Sequence, residues 1–214
     1  MEIRRFETAD RPELRELFAR ASAGSPVASL WGDRESEASI YLDPYLDLEP
    51  ESVFVAVVNG KLVGYLTGCA DSWRFPSESE RIERAIRAYR LFLRPTPARF
   101  FGVAMVDTLV AAIRRRPTAG DFQDVRWPAH LHIAVAADAR GTGAAAALMN
   151  RWFARLDENG VGCHLQTQVE NIRAVRFFTR MGFTPIGSTP VIPGMRYESR
   201  RVHQLTMVRP GERT

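Results

Sequence analysis

The hydrophobic pattern is most regular around residue 130. Here Leu131, Ile133 and Val135 alternate with His130 and His132. Because successive side chains of a strand point to opposite faces, this pattern predicts a strand with the aliphatic residues on one face and the histidines on the other.

The segments after this strand predict an alternation of helices and strands. VGCHLQTQV reads as a second strand, and a helix runs from Asn171, which can cap it, to Gly182. Between the two strands, DARGTGAAAALMNRWFARLDENG contains a glycine turn and a helix with an apolar stripe formed by Leu148, Met149, Trp152, Phe153 and Leu156. This order predicts a parallel strand pair with a right-handed crossover.

The N-terminal part predicts a strand, helices and a hairpin. MEIRRF reads as a strand, followed by a helix with Asp10 as its cap and Pro12 near its first turn. A second helical stretch is expected around Glu35 to Leu48. In SVFVAVVNGKLVGYLTGCA, two β-rich runs are joined by Asn59 and Gly60, a pair that favours a tight hairpin turn.

Residues from about 72 to 128 interrupt this pattern. Five prolines bracket two helical segments, ERIERAIRAYRLFL and FFGVAMVDTLVAAIRRR. We interpret the stretch as a helical insertion in a single α/β domain that covers residues 1–214, completed by strands around FTPIGSTPV and RRVHQLTMVR. The arginines at 114–116 are interpreted as a solvated helix end, with a basic partner surface as the alternative.

Composition narrows the class of protein. With 214 residues, 45% hydrophobic and 25% charged, the chain is an ordinary globular protein rather than a fibrous, disordered or disulfide-rich one. Cys69 and Cys163 are too few for a disulfide framework, which predicts a cytoplasmic protein. The N-terminus lacks the apolar core of a signal peptide and no stretch approaches membrane-spanning length, so no membrane partner is expected.

The charge pattern excludes one further class. The net charge of +4 is modest and spread out, so nucleic-acid binding is not predicted. Arginine dominates over lysine, and its planar fork pairs well with phosphate, which leaves an anionic ligand open.

One short motif carries the functional prediction. In RGTGAA, residues 140–145, small residues let the backbone approach a ligand where a strand turns into a helix. Exposed amides and the positive end of the helix dipole favour an anion there, and a diphosphate suits the site. The sequence has no GxxxxGK[ST] motif, and the turn lacks the three glycines of a dinucleotide fingerprint, which excludes nucleotide hydrolysis and hydride transfer.

The motif resembles the acetyl-CoA signature of the GNAT acetyltransferases. In that signature, Arg or Gln is followed by two residues, Gly, one residue, and Gly or Ala; Arg140, Gly143 and Ala145 match. A second signature of the family, an Asn that opens a helix ending in an aromatic pair and GF, matches NIRAVRFFTRMGF. The PAHLHI run and the insertion also resemble bacterial acetyltransferases akin to the acetyltransferase-like C-terminal domain of O-GlcNAcase.

This resemblance implies a fold and a co-substrate. The fold would have a mixed, mostly antiparallel sheet with a splayed parallel pair, helices on both faces, and the insertion between the third and fourth strands. The co-substrate would be acetyl-CoA, with its pantetheine arm on the backbone of Ile133, Val135 and Ala136. The turn would hold its pyrophosphate through Arg140, Gly141, Thr142, Gly143, Ala144 and Ala145.

The second motif implies further contacts and one departure from the family. Asn171 and Ala174, together with Phe177 and Phe178, would lie along the co-substrate, although Asn171 also fits a helix cap and the two aromatic residues also fit a core. Many family members have a tyrosine at the position of Phe178, and that tyrosine is the usual general acid. Phenylalanine has no proton to give.

The candidate general bases are His132 first and His130 second. They share the face opposite the aliphatic residues, and the pKa of an imidazole suits proton transfer. A structural role is the alternative for each, and the weaker candidates are Tyr65, Asp71, His164 and Glu170. Two histidines at this spacing can also bind a metal, but no third ligand is evident, so no metal is expected.

The leading hypothesis is an N-acetyltransferase that moves an acetyl group to an amine, either a small molecule or a protein amino group. The main alternative is an acetyl-CoA-binding module with little or no catalysis, because of Phe178. A structural or nucleic-acid-binding protein is a third hypothesis. The oligomeric state is expected to be a monomer or a homodimer.

Overall fold

The helices and strands follow the predicted order over most of the chain. The computed structural model describes residues 1–21 and 30–211. The strands are β1 Glu2–Arg5, β2 Val53–Val58, β3 Lys61–Cys69, β4 Ala129–Val135, β5 Cys163–Gln168, β6 Thr184–Ile186, β7 Val191–Tyr197 and β8 Arg200–Arg209. The α-helices are α1 Arg11–Ala21, α2 Arg34–Tyr41, α3 Asp43–Leu48, α4 Glu78–Ala88, α5 Pro95–Ile113, α6 Ala144–Asp157 and α7 Ile172–Arg180.

The strands form one mixed sheet in the order β1-β2-β3-β4-β5-β8-β6, and β7 pairs with β8 off this path. Among the strand pairs of residues 1–21 and 30–211, the β4–β5 pair alone is parallel, and the others are antiparallel. This arrangement confirms the predicted mixed, mostly antiparallel sheet with one parallel pair.

The two central strands separate soon after they meet. β4 pairs with β5 at only two positions, Ala129 with Cys163 and His130 with His164. In contrast, β3 follows β4 over six positions, from Gly64↔Val135 to Cys69↔His130. From Leu131 onward, β4 therefore has a strand partner on one edge only among the described residues, and a groove opens between β4 and β5.

Helices cover both faces of the sheet. On one face, α6 packs Leu148 and Trp152 against a core that includes Leu131. On the other, α1 and α3 pack Leu14 and Tyr45 against β2 and β3. The alternation in β4 follows these layers, because its aliphatic residues face α6 and its histidines face α3.

The insertion between β3 and β4 is anchored by one carboxylate. Asp107 of α5 is buried, and it accepts hydrogen bonds from the Gly194 amide (3.0 Å) and the Arg196 guanidinium (2.7 and 2.9 Å) of β7. Arg201 of β8 lies 3.3 Å from the same carboxylate. The hydrogen bond with Arg196 lowers the pKa of Asp107, so it remains ionised and holds α5 on the β7–β8 hairpin.

The sequence prediction is wrong about two segments, one helical stretch and one strand. The helical stretch around Glu35 to Leu48 is two helices, because Leu42 leaves the helical conformation between α2 and α3. The last part of the chain contains β7 in addition to the two predicted strands. Its Pro193 and Gly194 disguise the strand pattern, and its turn uses Glu198 and Ser199 at positive φ rather than a glycine.

The expectation that no stretch reaches membrane-spanning length is also wrong. Helix α5 has 19 residues with a mean hydropathy of 1.3, so by length and composition alone it is long and apolar enough to cross a membrane. Within its apolar stretch of 18 residues, 17% of the residues are buried inside the protein. The segment predicted from the sequence begins only at Phe100, whereas α5 begins at Pro95 and has two prolines in its first turn, a position that a helix tolerates.

Gly68 of β3 lies directly against Trp152 of α6. A Cβ atom at Gly68 would stand 2.6 Å from the ring of the fully buried Trp152, whereas one at Gly102 of α5 would meet no atom within 4 Å.

We therefore expect Gly68→Ala to lower the free energy of unfolding by about 1–3 kcal/mol, because the core must move to admit a methyl group. Gly102→Ala, the matched control, should leave it unchanged or raise it by about 0.5–1 kcal/mol. Urea unfolding of both variants tests this, and equal effects would contradict the packing argument.

Candidate active site

The turn after β4 exposes backbone to one end of the groove. Gly141 and Gly143 have φ of +84° and +88°, and a Cβ atom at either would meet nothing within 4 Å. The Thr142 hydroxyl donates to the Ala139 carbonyl at 2.7 Å and fixes the turn. First-turn amides of a helix lack acceptors within the helix, so the start of α6 is suited to an anion. The Ala144 amide there makes a long hydrogen bond of 3.4 Å to the Thr142 hydroxyl.

The β4 edge of the groove has a free part and an occupied part. Ile133 and Val135 are half-buried against the core under α6. At these two positions β4 pairs with no strand on the β5 side in the part of the chain that the structure describes. The Ala136 amide donates to the Val63 carbonyl at 2.8 Å, and the Ala136 carbonyl accepts from Ala139 at 3.1 Å. A ligand in the groove thus has more free backbone at Ile133 and Val135 than at Ala136.

Helix α7 begins and packs as the second motif suggested. The Asn171 side chain accepts the Ala174 amide at 3.2 Å, which confirms its role as a helix cap. Phe178 is buried, with its ring centroid 6.0 Å from that of Phe183 in a near-perpendicular arrangement. Phe177 is half-buried beside it, at 5.4 Å. Phe178 is thus a core residue.

His130 is held at both ring nitrogens. Its Nε2 lies 2.9 Å from the Tyr45 hydroxyl, and its Nδ1 lies 2.6 Å from the Ser72 hydroxyl, which itself donates to the Pro128 carbonyl at 2.6 Å. Because the Ser72 hydroxyl already donates its proton to the Pro128 carbonyl, it can only accept from His130. The His130 Nδ1 therefore carries the ring proton and donates it to Ser72, and Nε2 accepts from the Tyr45 hydroxyl. Burial, with smaller effects from His132, His164 and Arg81, holds the pKa of His130 well below its ordinary value, which suits this neutral tautomer.

His132 differs because its ring has no hydrogen-bond partner among the residues that the structure describes. It is half-buried, and its ring centroid lies 5.5 Å from that of Tyr45. Burial, and then the nearby charge of Arg81, lowers the pKa of His132 to about 4. At neutral pH the ring is therefore uncharged and has an available lone pair.

A pocket surrounds the two histidines at the closed end of the groove. His130, Leu131 and His132 of β4 and His164, Leu165 and Gln166 of β5 form its base. Its walls come from α3 and the insertion, and they include Tyr45, Ser72, Phe75, Glu78, Arg81 and Phe122.

The wall residues were not found from the sequence. Arg81 is buried, with its guanidinium carbon 5.3 Å from the ring centroid of Phe75 and 5.8 Å from that of Tyr45. Burial raises the pKa of Glu78, whose carboxylate accepts from the Tyr41 hydroxyl at 2.9 Å. These residues come from helices far from β4 in sequence, and no local pattern connects them to it.

The weaker candidate bases lie in different places. His164 lies in the pocket, and its Nδ1 is 2.7 Å from the Trp127 carbonyl. Tyr65 is buried in the core under α1, and Glu170 pairs with His203 at 2.9 Å. Asp71 accepts the Trp73 amide at 3.0 Å. Only His164 of these four lines the pocket.

No group of three or more His, Cys, Asp or Glu side chains suited to a metal occurs in residues 1–21 and 30–211. The structure therefore offers His130 and His132 no third ligand in this part of the chain.

Comparison with known families decides the identity. The model of the "Acetyltransferase (GNAT) family" matches residues 12–183, from α1 to the end of the second motif. The chain belongs to the GNAT acetyltransferase family. This result confirms the resemblance seen in the two motifs, and acetyl-CoA is the co-substrate of this family.

Solved structures share this GNAT fold over the whole chain. SsHAT is 24% identical with a TM-score of 0.61, and the alignment covers 98% of this chain and 97% of that one. The ribosomal-protein-alanine N-acetyltransferase from Brucella melitensis is 18% identical with a TM-score of 0.59, covering 98% and 99%. The putative acetyltransferase yncA from Salmonella typhimurium, solved with its cofactor acetyl-CoA, is 17% identical with a TM-score of 0.59, covering 100% and 95%.

The low pKa of His132 predicts a dependence of GNAT-domain stability on pH. The unfolded ring binds a proton below its ordinary pKa of 6.5, whereas the folded ring stays neutral down to about pH 4. The unfolded state thus binds more protons in this window, so stability is lost as the pH falls from 6.5 towards 4.

Replacing His132 with glutamine should remove part of this loss. Between pH 7 and pH 5 we expect the free energy of unfolding of the native chain to fall by about 1–2 kcal/mol more than that of His132→Gln. Urea unfolding at the two pH values measures the difference. An equal fall in both proteins would show that His132 is not kept neutral by the fold.

Proposed function

We propose that this GNAT protein transfers an acetyl group from acetyl-CoA to an amine, by direct attack of the amine at the closed end of the groove. The observation that carries the proposal is the juxtaposition of an open β4 edge, a glycine turn at one end of it, and, at the other end, the uncharged imidazole of His132, which has no hydrogen-bond partner among the described residues. A single domain built by residues 1–214 is part of the same proposal.

The groove fits the co-substrate. Acetyl-CoA combines a diphosphate with an arm that contains two amides, and when bound it supplies an activated acetyl group. Amides from Arg140 to Ala145 would hold the diphosphate, where the positive φ of Gly141 and Gly143 keeps side chains out of the way. The free edge at Ile133 and Val135 would pair with the arm as a neighbouring strand does.

His132 is the proposed general base. The attacking amine must lose a proton, and His132 is the imidazole of β4 with an available lone pair. His130 would act as a positioning residue, since its two nitrogens are used by Tyr45 and Ser72. The Asn171 amide, Ala174 and the half-buried Phe177 would line the co-substrate side of the groove, with Phe178 behind them in the core.

A second function, binding of acetyl-CoA with little catalysis, is favoured by one observation. Phe178 occupies the position of the tyrosine that commonly protonates the leaving thiolate in this family, and it lies in the core without a hydroxyl. The thiolate of coenzyme A is a good leaving group, so water could protonate it. For this reason we favour an active enzyme.

The acceptor is proposed to be a small amine or a protein amino group. Among the structural neighbours, the Brucella melitensis protein is named for an alanine of a ribosomal protein. A closer relation to the O-GlcNAcase-like bacterial acetyltransferases, suggested by the PAHLHI run and the insertion, is a further part of the proposal.

Blocking the turn should remove co-substrate binding without unfolding the protein. Gly143→Trp would place an indole over the amides at the start of α6. Gly60→Trp is the matched control, because Gly60 also has positive φ (+73°) and open space but lies in the β2–β3 hairpin. Each change should lower the free energy of unfolding by about 1–2 kcal/mol, since both glycines have a left-handed backbone conformation that other residues adopt at a cost.

Calorimetry with acetyl-CoA is expected to show binding by the native chain and Gly60→Trp and none by Gly143→Trp. Unchanged affinity in a folded Gly143→Trp protein would contradict the placement of the diphosphate.

Removing the proposed base should reduce turnover rather than binding. For His132→Gln we expect kcat to fall roughly 10²–10⁴-fold with little change in the KM for acetyl-CoA, because the ring acts on the amine proton. His203→Gln is the matched control, since His203 is paired with Glu170 and does not line the pocket.

Release of the coenzyme A thiol with a panel of small amines and peptide amino termini measures this effect. If the native chain binds acetyl-CoA but turns over with none of these acceptors, the binding-module function replaces the enzyme. Unchanged kcat in His132→Gln would exclude His132 as the base.

A further inference from the structure

The outward face of α5 is apolar over about three turns. Met105, Val106, Leu109 and Ile113 are 60–73% exposed. The charge that α5 carries between Arg99 and its end is Asp107, which is buried on the opposite face against β7. A helix on a protein surface normally presents polar residues to water, so this face is suited to contact with something apolar.

The apolar area extends beyond α5. The short turn at Leu91–Leu93 exposes Phe92 by 52% and Leu93 by 79%. An open groove between this turn, α4 and α5 is lined by Ile86, Phe92, Phe101, Ala104, Met105 and Leu109. The α5 face and this groove together form what we call the α5 surface.

Positive charge surrounds the α5 surface. Residues 84–116 contain eight arginines, one aspartate and no other charged residue, whereas the whole chain has a net charge of only +4. All eight arginines are exposed. Six of them have no ion pair within the described residues: Arg84, Arg90, Arg99, Arg114, Arg115 and Arg116. The excess charge is thus concentrated here rather than spread over the chain.

We propose that the α5 surface binds an anionic lipid membrane. The apolar side chains would enter the boundary between head groups and acyl chains, and the arginines at both ends of α5 would contact the lipid phosphates. The helix would lie in the plane of the membrane, because the bond from Asp107 to Arg196 fixes its other face to β7. This proposal departs from the absence of a membrane partner expected from the sequence.

Charge and hydrogen bonding favour a lipid membrane over a second copy of this chain or a different protein as the occupant of the α5 surface. A symmetric contact between two copies would bring the same arginine-rich rims together, which costs energy. A protein partner would be expected to form hydrogen bonds across its interface. The polar side chain within the exposed stripe, Thr108, already donates to the Ala104 carbonyl of its own helix at 2.9 Å.

Vesicle co-sedimentation with the full chain tests the proposal. We expect binding to phosphatidylcholine vesicles that contain phosphatidylglycerol, weak binding to phosphatidylcholine alone, and loss of binding at high salt. Met105→Gln with Leu109→Gln should weaken binding about tenfold, because it removes buried apolar area. Replacing Arg114, Arg115 and Arg116 with glutamine should weaken it about a hundredfold.

Matched controls separate the α5 surface from general effects. Leu48→Gln removes a leucine that is 55% exposed on α3, and the triple change of Arg173, Arg176 and Arg180 to glutamine removes three exposed arginines from α7. Both controls should bind vesicles within about twofold of the native chain. If an α5 variant does not fold, Phe92→Trp reports contact directly through a blue shift of its fluorescence on anionic vesicles.

Three results would overturn the proposal. These are equal binding to both kinds of vesicle, equal weakening by the control and α5 variants, and no spectral change from Phe92→Trp. A dimer in light scattering that Met105→Gln with Leu109→Gln dissociates, without vesicle binding, would identify the surface as a contact between copies instead.

Discussion

The parting of β4 from β5 after two paired positions is the constraint on which the site depends. A strand in the middle of a sheet normally has both edges satisfied, and an unpaired edge exposes backbone groups that seek partners. Here β4 pairs with β3 from His130 to Val135, so it stays rigid, while among the described residues its other edge is free from Leu131 onward. The glycine turn and α6 follow directly, so the free edge and the anion-binding turn lie end to end.

A second constraint is that polar groups in the pocket must be satisfied where water is scarce. The series of hydrogen bonds from Tyr45 through His130 and Ser72 to the Pro128 carbonyl uses the one donor and the one acceptor of the neutral His130 ring. Burial keeps both β4 histidines uncharged. Within the described residues, His130 uses both ring nitrogens in hydrogen bonds, whereas His132 uses neither. Two histidines of the same strand face, two residues apart, thus differ in chemistry because of what the α3 helix and the insertion place against them.

Sequence reasoning succeeded where a local pattern carries the information. The alternation at β4, the Asn59–Gly60 hairpin, the Asn171 cap and the two family motifs are local, so the fold and family followed from them. The pocket walls could not be predicted, because they depend on how distant helices dock. The β7 strand was missed since Pro193 and Gly194 interrupt its pattern, and the apolar face of α5 was missed because periodicity does not say which face stays uncovered.

The position of β8 has a consequence for how the protein is made. This strand follows β5, α7, β6 and β7 in sequence, yet it lies inside the sheet between β5 and β6, where it pairs with β5 over six residues. Contacts between segments so distant in sequence form slowly, and domains assemble from the N-terminus during synthesis. The wall of the groove opposite β4 therefore gains its own partner strand only after α7, β6 and β7 have been synthesised. Until then the nascent chain presents an incomplete sheet to chaperones and proteases.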